Sequence, residues 1–542
     1  MRKFSTVAAA VLLMIFTLVS CKTQHSSDCA DSFSGLDEKD IKYTVNLYEK
    51  GLIPDNADKA VHNTKVINKA IKGADEFTRI VIPDGTYYID CRISFQNKSN
   101  ISLCGGGNTR LINTAYKPIT EDDKPEVTYT RSNFFSINGS RNISVCNLTL
   151  DYLHHSTLDG VITRVENGKT YFKAYDEFVS REKNPVNGGE ICFSALIADD
   201  DVFYDEVWLD SGKAVIKESS DGTFSIPLQA GKAGDRICCR ISSGTYSSPL
   251  FFVTETSGLT VSGITCHSCP SAFIYAPYGN SNFSFSSLNV KPQGDSQRLL
   301  ASNEDIIHIK HMSGFLNLSD STFFGLGDDV LNVHSKLVRI KNMDGNKIHT
   351  TLADNDSELP QCFFAKGQIL EFFDGDGKSL GTSSVVSFNG KVLVPETIPD
   401  GVSEGCLIQN ISCVPDTTVS NCSIGFGRAR GLLLQTKNAT VKNCSFKNLR
   451  LSAILIAPDF KYWYEAGYAD NVEISSNRFK RCASLGNGFG VIHIGTSHDD
   501  PTSQAVENGH KSITLKDNIF TRCKSEEVKA TGVENFTNCD ID

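Results

Sequence analysis

The sequence predicts an all-β protein: a right-handed parallel β-helix carrying two small inserted antiparallel β-barrel domains and an N-terminal capping helix. Three observations predict it. First, a short alternating pattern that ends at Asn or Gly recurs, as in Ile143-Ser144-Val145-Cys146-Asn147, Leu259-Thr260-Val261-Ser262-Gly263, Thr418-Val419-Ser420-Asn421 and Thr440-Val441-Lys442-Asn443. Val419 to Val441 is 22 residues and Val261 to Phe285 is 24, the size of one coil built from three short strands. Second, the runs Ala272–Tyr275, Ile306–Ile309, Val330–Val333, Leu432–Gln435, Ala453–Ile456 and Val491–Ile494 form another strand family, suited to stacking as one sheet. Third, two stretches, 155–250 and 336–413, abandon the period for alternating strands joined at Asn-Gly and Gly-Lys turns, which are hairpin signals.

Taken in chain order, residues 1–21 read as an export leader, with basic Met1-Arg2-Lys3 followed by an apolar run too short to span a membrane stably. Its end, Leu18-Val19-Ser20-Cys21, resembles the lipobox of bacterial lipoproteins, which implies acylation of Cys21 and, with Lys22 rather than Asp after it, an outer-membrane location. Residues 22–40 are polar and suit a tether. The region 41–154 supplies the cap and the first coils. Ala60, Val61, Ile67, Ala70 and Ile71 recur at helical spacing within 56–73, and a solenoid needs such an element to cover the apolar end of its first coil. Ile80-Val81-Ile82-Pro83-Asp84-Gly85-Thr86-Tyr87-Tyr88 then reads as strand, turn and strand. The first insertion occupies 155–250, the coils with clustered acids 251–335, the second insertion 336–413 and the final coils 414–542.

Composition narrows the function. At 542 residues the chain exceeds an ordinary single core, which fits one elongated repeat with insertions. A net charge of -10 and the lack of a long Lys/Arg run argue against nucleic acid as a partner and leave uncharged or anionic small substrates. Of 18 cysteines, those left after Cys21 are odd in number and scattered, so a full disulfide framework is not expected. Cys422 and Cys444 both stand in Asn-Cys-Ser, 22 residues apart, where buried thiols on adjacent coils stack. Cys266-His267-Ser268-Cys269 has no second ligand pair at zinc spacing, so no metal is assigned. A solenoid side leaves a homodimer open.

The chemistry points to one place. Asn303-Glu304-Asp305-Ile306-Ile307-His308-Ile309 is repeated 24 residues later as Gly327-Asp328-Asp329-Val330-Leu331-Asn332-Val333-His334. Each acidic pair precedes a short apolar strand, so the carboxylates gather at one sheet edge, about 4.8 Å apart along the stack. Like charges held together disfavour ionisation of at least one member, which lets one site hold both an acid and a base. Inverting glycosidases separate the two carboxyls by about 6.5–9.5 Å and retaining ones by about 5–5.5 Å, a choice the sequence leaves open. His308, Asn332 and His334 flank the acids. In the next coil Gly427-Arg428-Ala429-Arg430-Gly431 offers guanidinium forks, with Arg430 preferred because it immediately precedes the strand in register with the acids.

These residues resemble glycoside hydrolase family 110: Asn-Glu-Asp, then Gly-Asp-Asp with Asp328 23 residues after Asp305, on a β-helix with two barrel insertions. The resemblance covers roughly 40–540 and implies an exo-acting α-1,3-galactosidase that inverts and uses no metal or other cofactor. It implies Asp305 as general acid, and Asp328 and Asp329 as the groups that hold and deprotonate water, with the principal base left open. Galactose-terminated oligosaccharides or glycoconjugates, of blood-group B or linear Galα1-3Gal type, would be the partners. Around them, Glu304, His308, Asn332, Arg430, Trp463 and Glu465 are the candidate substrate-binding residues, Trp463 and Glu465 as an aromatic platform beside a carboxylate. Two alternatives stand beside it. Polygalacturonase-like enzymes also place Asn-x-Asp and Asp-Asp on consecutive coils, but their Gly-His-Gly is replaced here by Gly-Arg-Ala-Arg-Gly, and Arg339-Ile340-Lys341 falls inside the second insertion. A glycan-binding surface solenoid would use the same cleft without hydrolysis.

Overall fold

The computed structural model describes residue 36 and residues 38–540 except 115–132, 154–155, 177–190, 193, 200–201, 209–213, 241–248, 498–499 and 503–505. Cys21, the leader and most of the expected tether lie outside the described residues. Among the described residues no helix is long and apolar enough to cross a membrane.

The helix Ala60–Gly73 caps the solenoid. Its buried residues Ala60, Asn63, Thr64, Ile67 and Ile71 face the strands Gly85–Ile89 and Ile93–Gln96 of the first coil. Val61, expected on the same face, is half-exposed instead, because buried Asn63 and Thr64 set the covered stripe one position further round. Asn63 earns that place by donating its side-chain amide to the carbonyls of Ile53 and Tyr88. Lys98 reaches back to the carbonyls of Lys72 and Ala74, satisfying acceptors that the helix C-terminus leaves open.

The coils stack in parallel register. One sheet runs through Ile93–Gln96, Phe135–Asn138, Phe251–Thr254, Ile274–Ala276, Ile307–Lys310, Leu331–Lys336, Leu432–Leu434, Ile454–Ile456, Ile492–Ile494 and Val528–Ala530. A second, twenty-stranded sheet supplies the other walls and bends at each coil. The bends fall on left-handed residues at equivalent positions: Asn147, Gly263, Asn421, Asn443, Ser476 and Asp517. Asn and Asp tolerate this conformation better than other residues with a Cβ, so the recurrent Asn of the sequence pattern is a corner. Immediately inside the later corners runs a ladder: the backbone N–H of Cys422 donates to Sγ of Cys444, that of Cys444 to Asn477 Oδ1, that of Asn477 to Asn518 Oδ1, and that of Asn518 to Asp540 Oδ1. Both thiols are buried, and that of Cys444 is the acceptor that opens this ladder. Equivalent aromatics also stack coil on coil, as Phe446 on Phe479 at 5.1 Å and Phe479 on Phe520 at 4.9 Å. Cys104 and Cys146, register partners on adjacent coils with Cα atoms 4.6 Å apart, form one disulfide among the described residues.

Both insertions are antiparallel. The first forms a seven-stranded sheet between Thr157–Glu166 and Arg236–Arg240, turning at Asn167-Gly168 with both φ positive. Its described strands are an open sheet, since the two edge strands, Phe203–Trp208 and Lys217–Glu218, do not pair with each other. The second is a closed six-stranded barrel from Val338–Asp344 to Leu407–Asn410. Each docks on the coils through its own apolar cluster. Leu196, Phe203 and Cys238 of the first meet Leu299, Leu300 and Phe426; Leu337, Phe373 and Leu407 at the second meet Phe460, Ala466 and Tyr468. The first cluster reaches Phe426, two residues before Arg428, and the second reaches Ala466, next to Glu465.

Candidate active site

Strand pairing Ile307↔Leu331↔Leu432 puts Asp305, Asp329 and Arg430 in line on three successive coils. Asp305, Asp328 and Asp329 each bring a carboxylate oxygen within 4.8 Å of the others. The turns are tight: a Cβ on Gly327 would sit 2.4 Å from the Ser302 carbonyl oxygen, so the residue before the Asp pair has to be glycine.

The three acids differ in how they are held. Asp305 is buried; its Oδ1 accepts the backbone N–H of Asp329 at 3.1 Å and its Oδ2 lies 2.7 Å from Nδ1 of His308. Asp329 is also buried, and its Oδ1 accepts both the backbone N–H and the Nε–H of Arg430, at 2.9 and 3.1 Å. Burial raises the Asp329 pKa above the usual carboxylate range against the pull of Arg430. Asp328 faces outward, its side chain 34% exposed, with Arg428 Nη1 3.1 Å from its Oδ1. Both arginines therefore serve the acids, Arg430 the inner one and Arg428 the outer one. Burial disfavours their charge, yet the facing carboxylates outweigh it and hold both guanidinium pKa values above normal.

A polar chain leads away from Asp305. His308 Nε2 is 3.0 Å from His334 Nε2, and His334 Nε2 is 3.4 Å from Glu465 Oε1. Burial keeps His308 neutral by pushing its pKa well down. Glu465 is buried beside Lys336, which donates to the Trp463 carbonyl at 2.7 Å and pairs with Asp354 at 2.9 Å. Trp463 is 47% exposed and edge-on to Tyr462, and Asp459 Oδ1 accepts the backbone N–H groups of 461–463 to fix their loop. Asn332 is buried beside His308, and its Oδ1 has no hydrogen-bond partner among the described residues. Glu304 turns to the preceding coil, where Ser271 Oγ donates to it at 2.8 Å; side chains alternate along an extended chain, so Glu304 and Asp305 separate.

Among the described residues two groups are close enough to hold an ion: the three aspartates, and His308 with His334 and Glu465. Both already face fixed cations, Arg428 and Arg430 in the first case and Lys336 in the second. The 3.0 Å between the two imidazoles is an ordinary hydrogen-bond length.

Sequence reasoning missed the residues that the first insertion contributes. Glu206, on Phe203–Trp208, accepts from Arg240 at 3.0 Å, Arg428 at 2.7 Å and Arg450 at 3.4 Å, with its side chain 5% exposed. Arg240 is buried and also donates to the carbonyls of Asn303 and Gly327, the residues that open the two acidic turns. Lys336 and Asp354 were missed as well. The only signal was Lys336 closing the strand that Asp328-Asp329 begins. Arg339-Ile340-Lys341 belongs to the barrel: Ile340 is in its core and Lys341 pairs with Asp356 on the surface.

Burial pushes the Glu465 carboxyl up to about 6. A carboxyl raised in the folded state adds stability that is fully present below its unfolded value and lost as pH rises through about 6. Glu465→Gln is expected to remove that dependence, so that the difference in unfolding free energy between variant and wild type changes by about 2 kcal/mol between pH 4 and pH 7. Parallel stability curves would show that Glu465 is not the desolvated carboxyl.

No protein-family model matches the chain. The chain is 23% identical over 523 residues to alpha-1,3-galactosidase B of Bacteroides thetaiotaomicron, covering 88% of this chain and 82% of that protein. It is 27% identical over 281 residues to alpha-1,3-galactosidase A of Bacteroides fragilis, covering 50% of this chain and 46% of that protein. Among solved structures, the polygalacturonase of Erwinia carotovora aligns over 90% of this chain and 96% of its own with TM-score 0.40 and 10% identity.

Proposed function

We propose that this chain, a homologue of the curated α-1,3-galactosidases, is an exo-acting glycoside hydrolase that releases terminal α-1,3-linked galactose with inversion. The observation that carries the reading is the registered acid cluster, in which three carboxylates of unequal exposure share one sheet edge. Asp305 donates its proton to the leaving oxygen, His308 and the Asp329 N–H orienting the carboxyl. Asp328 is the carboxylate that solvent reaches, and it takes the proton of the attacking water while Arg428 steadies it. Asp329, locked by Arg430, holds that water from the inner side. One oxygen of each carboxylate lies within 4.8 Å of the others, whereas most inverting pairs hold their carboxyl groups roughly 6.5–9.5 Å apart. Inversion at this spacing requires the water to sit outside the cluster against Asp328, and the stereochemistry rests on the family resemblance.

The terminal galactose fits over His308, Asn332 and Glu465, where the open acceptor of Asn332 suits a sugar hydroxyl and half-exposed Trp463 suits the apolar face of the ring. Blood-group B trisaccharide and linear Galα1-3Gal are both within this reading. We place the enzyme in the outer membrane through acylated Cys21; loss of fatty-acid labelling in Cys21→Ser tests that, and undiminished labelling would refute it. Incubation with the two galactosides and with oligogalacturonate tests the function. Galactose from either galactoside supports it, whereas cleavage of oligogalacturonate alone would overturn it.

A further inference from the structure

The chain has two tryptophans, Trp208 and Trp463, and each contacts a residue tied to the acid cluster or its polar chain. Trp463 stands by Lys336 and Glu465, whose side chains are buried, where the galactosidase reading puts the terminal sugar. Trp208 ends the strand Phe203–Trp208 of the first insertion, and its ring lies 5.0 Å from the Arg240 guanidinium carbon and 5.4 Å from that of Arg428. Arg428 in turn contacts Asp328 at 3.1 Å, so the indole sits one side chain away from the most exposed acid.

Its strand and its ring both have defined partners. Trp208 pairs in register with Ser194, Ser194 pairs with Arg240, and Ser194 Oγ accepts from Arg240 Nε at 2.6 Å. The arginines that hold the ring are themselves tied to Glu206 and to the backbone of the acidic turns. Despite this fixing, the residue remains 54% exposed. An indole with exposed surface beside a hydrolytic acid presents a flat apolar platform to the C–H face of a pyranose.

We propose that Trp208 is the platform for the penultimate sugar, the one from which the terminal residue is cleaved. The inserted domain thereby contributes specificity for the sugar on the leaving-group side. This rests on the galactosidase reading and adds to it the residue that recognises the second sugar. The test compares two substrates that share the terminal galactose, Galα1-3Gal and α-galactosyl fluoride, since the fluoride has no second sugar. The ratio of kcat/KM on the disaccharide to kcat/KM on the fluoride is expected to fall about tenfold in Trp208→Ala. Trp208→Phe, which keeps an aromatic face, is expected to retain most of the wild-type ratio. Should the Ala variant not fold, Trp208→Leu keeps bulk without the aromatic face and is expected to lower the ratio likewise. An unchanged ratio in the folded Ala or Leu variant, whether both substrates slow together or neither does, would overturn the proposal. Failure of the wild-type protein to hydrolyse either galactoside would instead overturn the galactosidase reading, and the subsite with it.

Discussion

Asp305→Asn is expected to lower turnover of Galα1-3Gal by about 10²–10⁴-fold, the contribution of a positioned general acid. The substitution is nearly isosteric. Asn keeps an oxygen to accept the Asp329 N–H, and its amide can face the neutral His308 ring, so both contacts of the native side chain persist. What is lost is the transferable proton. A leaving group that needs no proton separates this role from a structural one, because α-galactosyl fluoride should suffer far less than the disaccharide. Equal losses on both substrates, or retention of disaccharide activity within a few-fold, would remove Asp305 from the role of acid.

Glu206→Ala is expected to destabilise the fold by about 3–5 kcal/mol, the usual effect of deleting one partner from a buried ionic group. Glu206 is the shared carboxylate of Arg240, Arg428 and Arg450, and its removal leaves three clustered cations facing one another. Burial already lowers the pKa of Arg240, and the neighbouring Arg428 lowers it further. Activity is expected to fall with stability, since Arg240 and Arg428 hold the Gly327 carbonyl and Arg428 also holds Asp328. Glu206→Gln, which retains an acceptor of the same shape, should lose less stability. Urea unfolding measures both. A loss within about 1 kcal/mol for the Ala variant, typical of exposed pairs, would mean that the network is not the joint between insertion and active site.

How much of this was legible in the sequence follows from sequence separation. The coils were readable because left-handed Asn421 and Asn443 mark corners at a fixed interval. The alignment of Asp305 with Asp329 was readable because a 24-residue repeat becomes a register. Arg430 could be placed by the same register one coil on. Glu206 could not, since it meets Arg428 across 222 residues, and only the way the first insertion folds back over the coils creates that contact. Lys336 and Asp354 meet for a related reason, at the point where the barrel leaves the sheet. Register also misleads over a single step: Glu304 shares the edge with Asp305 but turns to Ser271. The open sheet of the first insertion was equally hidden, because hairpin signals specify pairs of strands and leave closure to the edges.

Proton NMR of the first minutes of Galα1-3Gal hydrolysis tests the central claim most directly. β-Galactose appearing before its mutarotated α form is the predicted result, as expected for water delivered from the face opposite the departing sugar. α-Galactose appearing first would contradict the account, because it requires one of the aspartates to act as nucleophile in a retaining reaction.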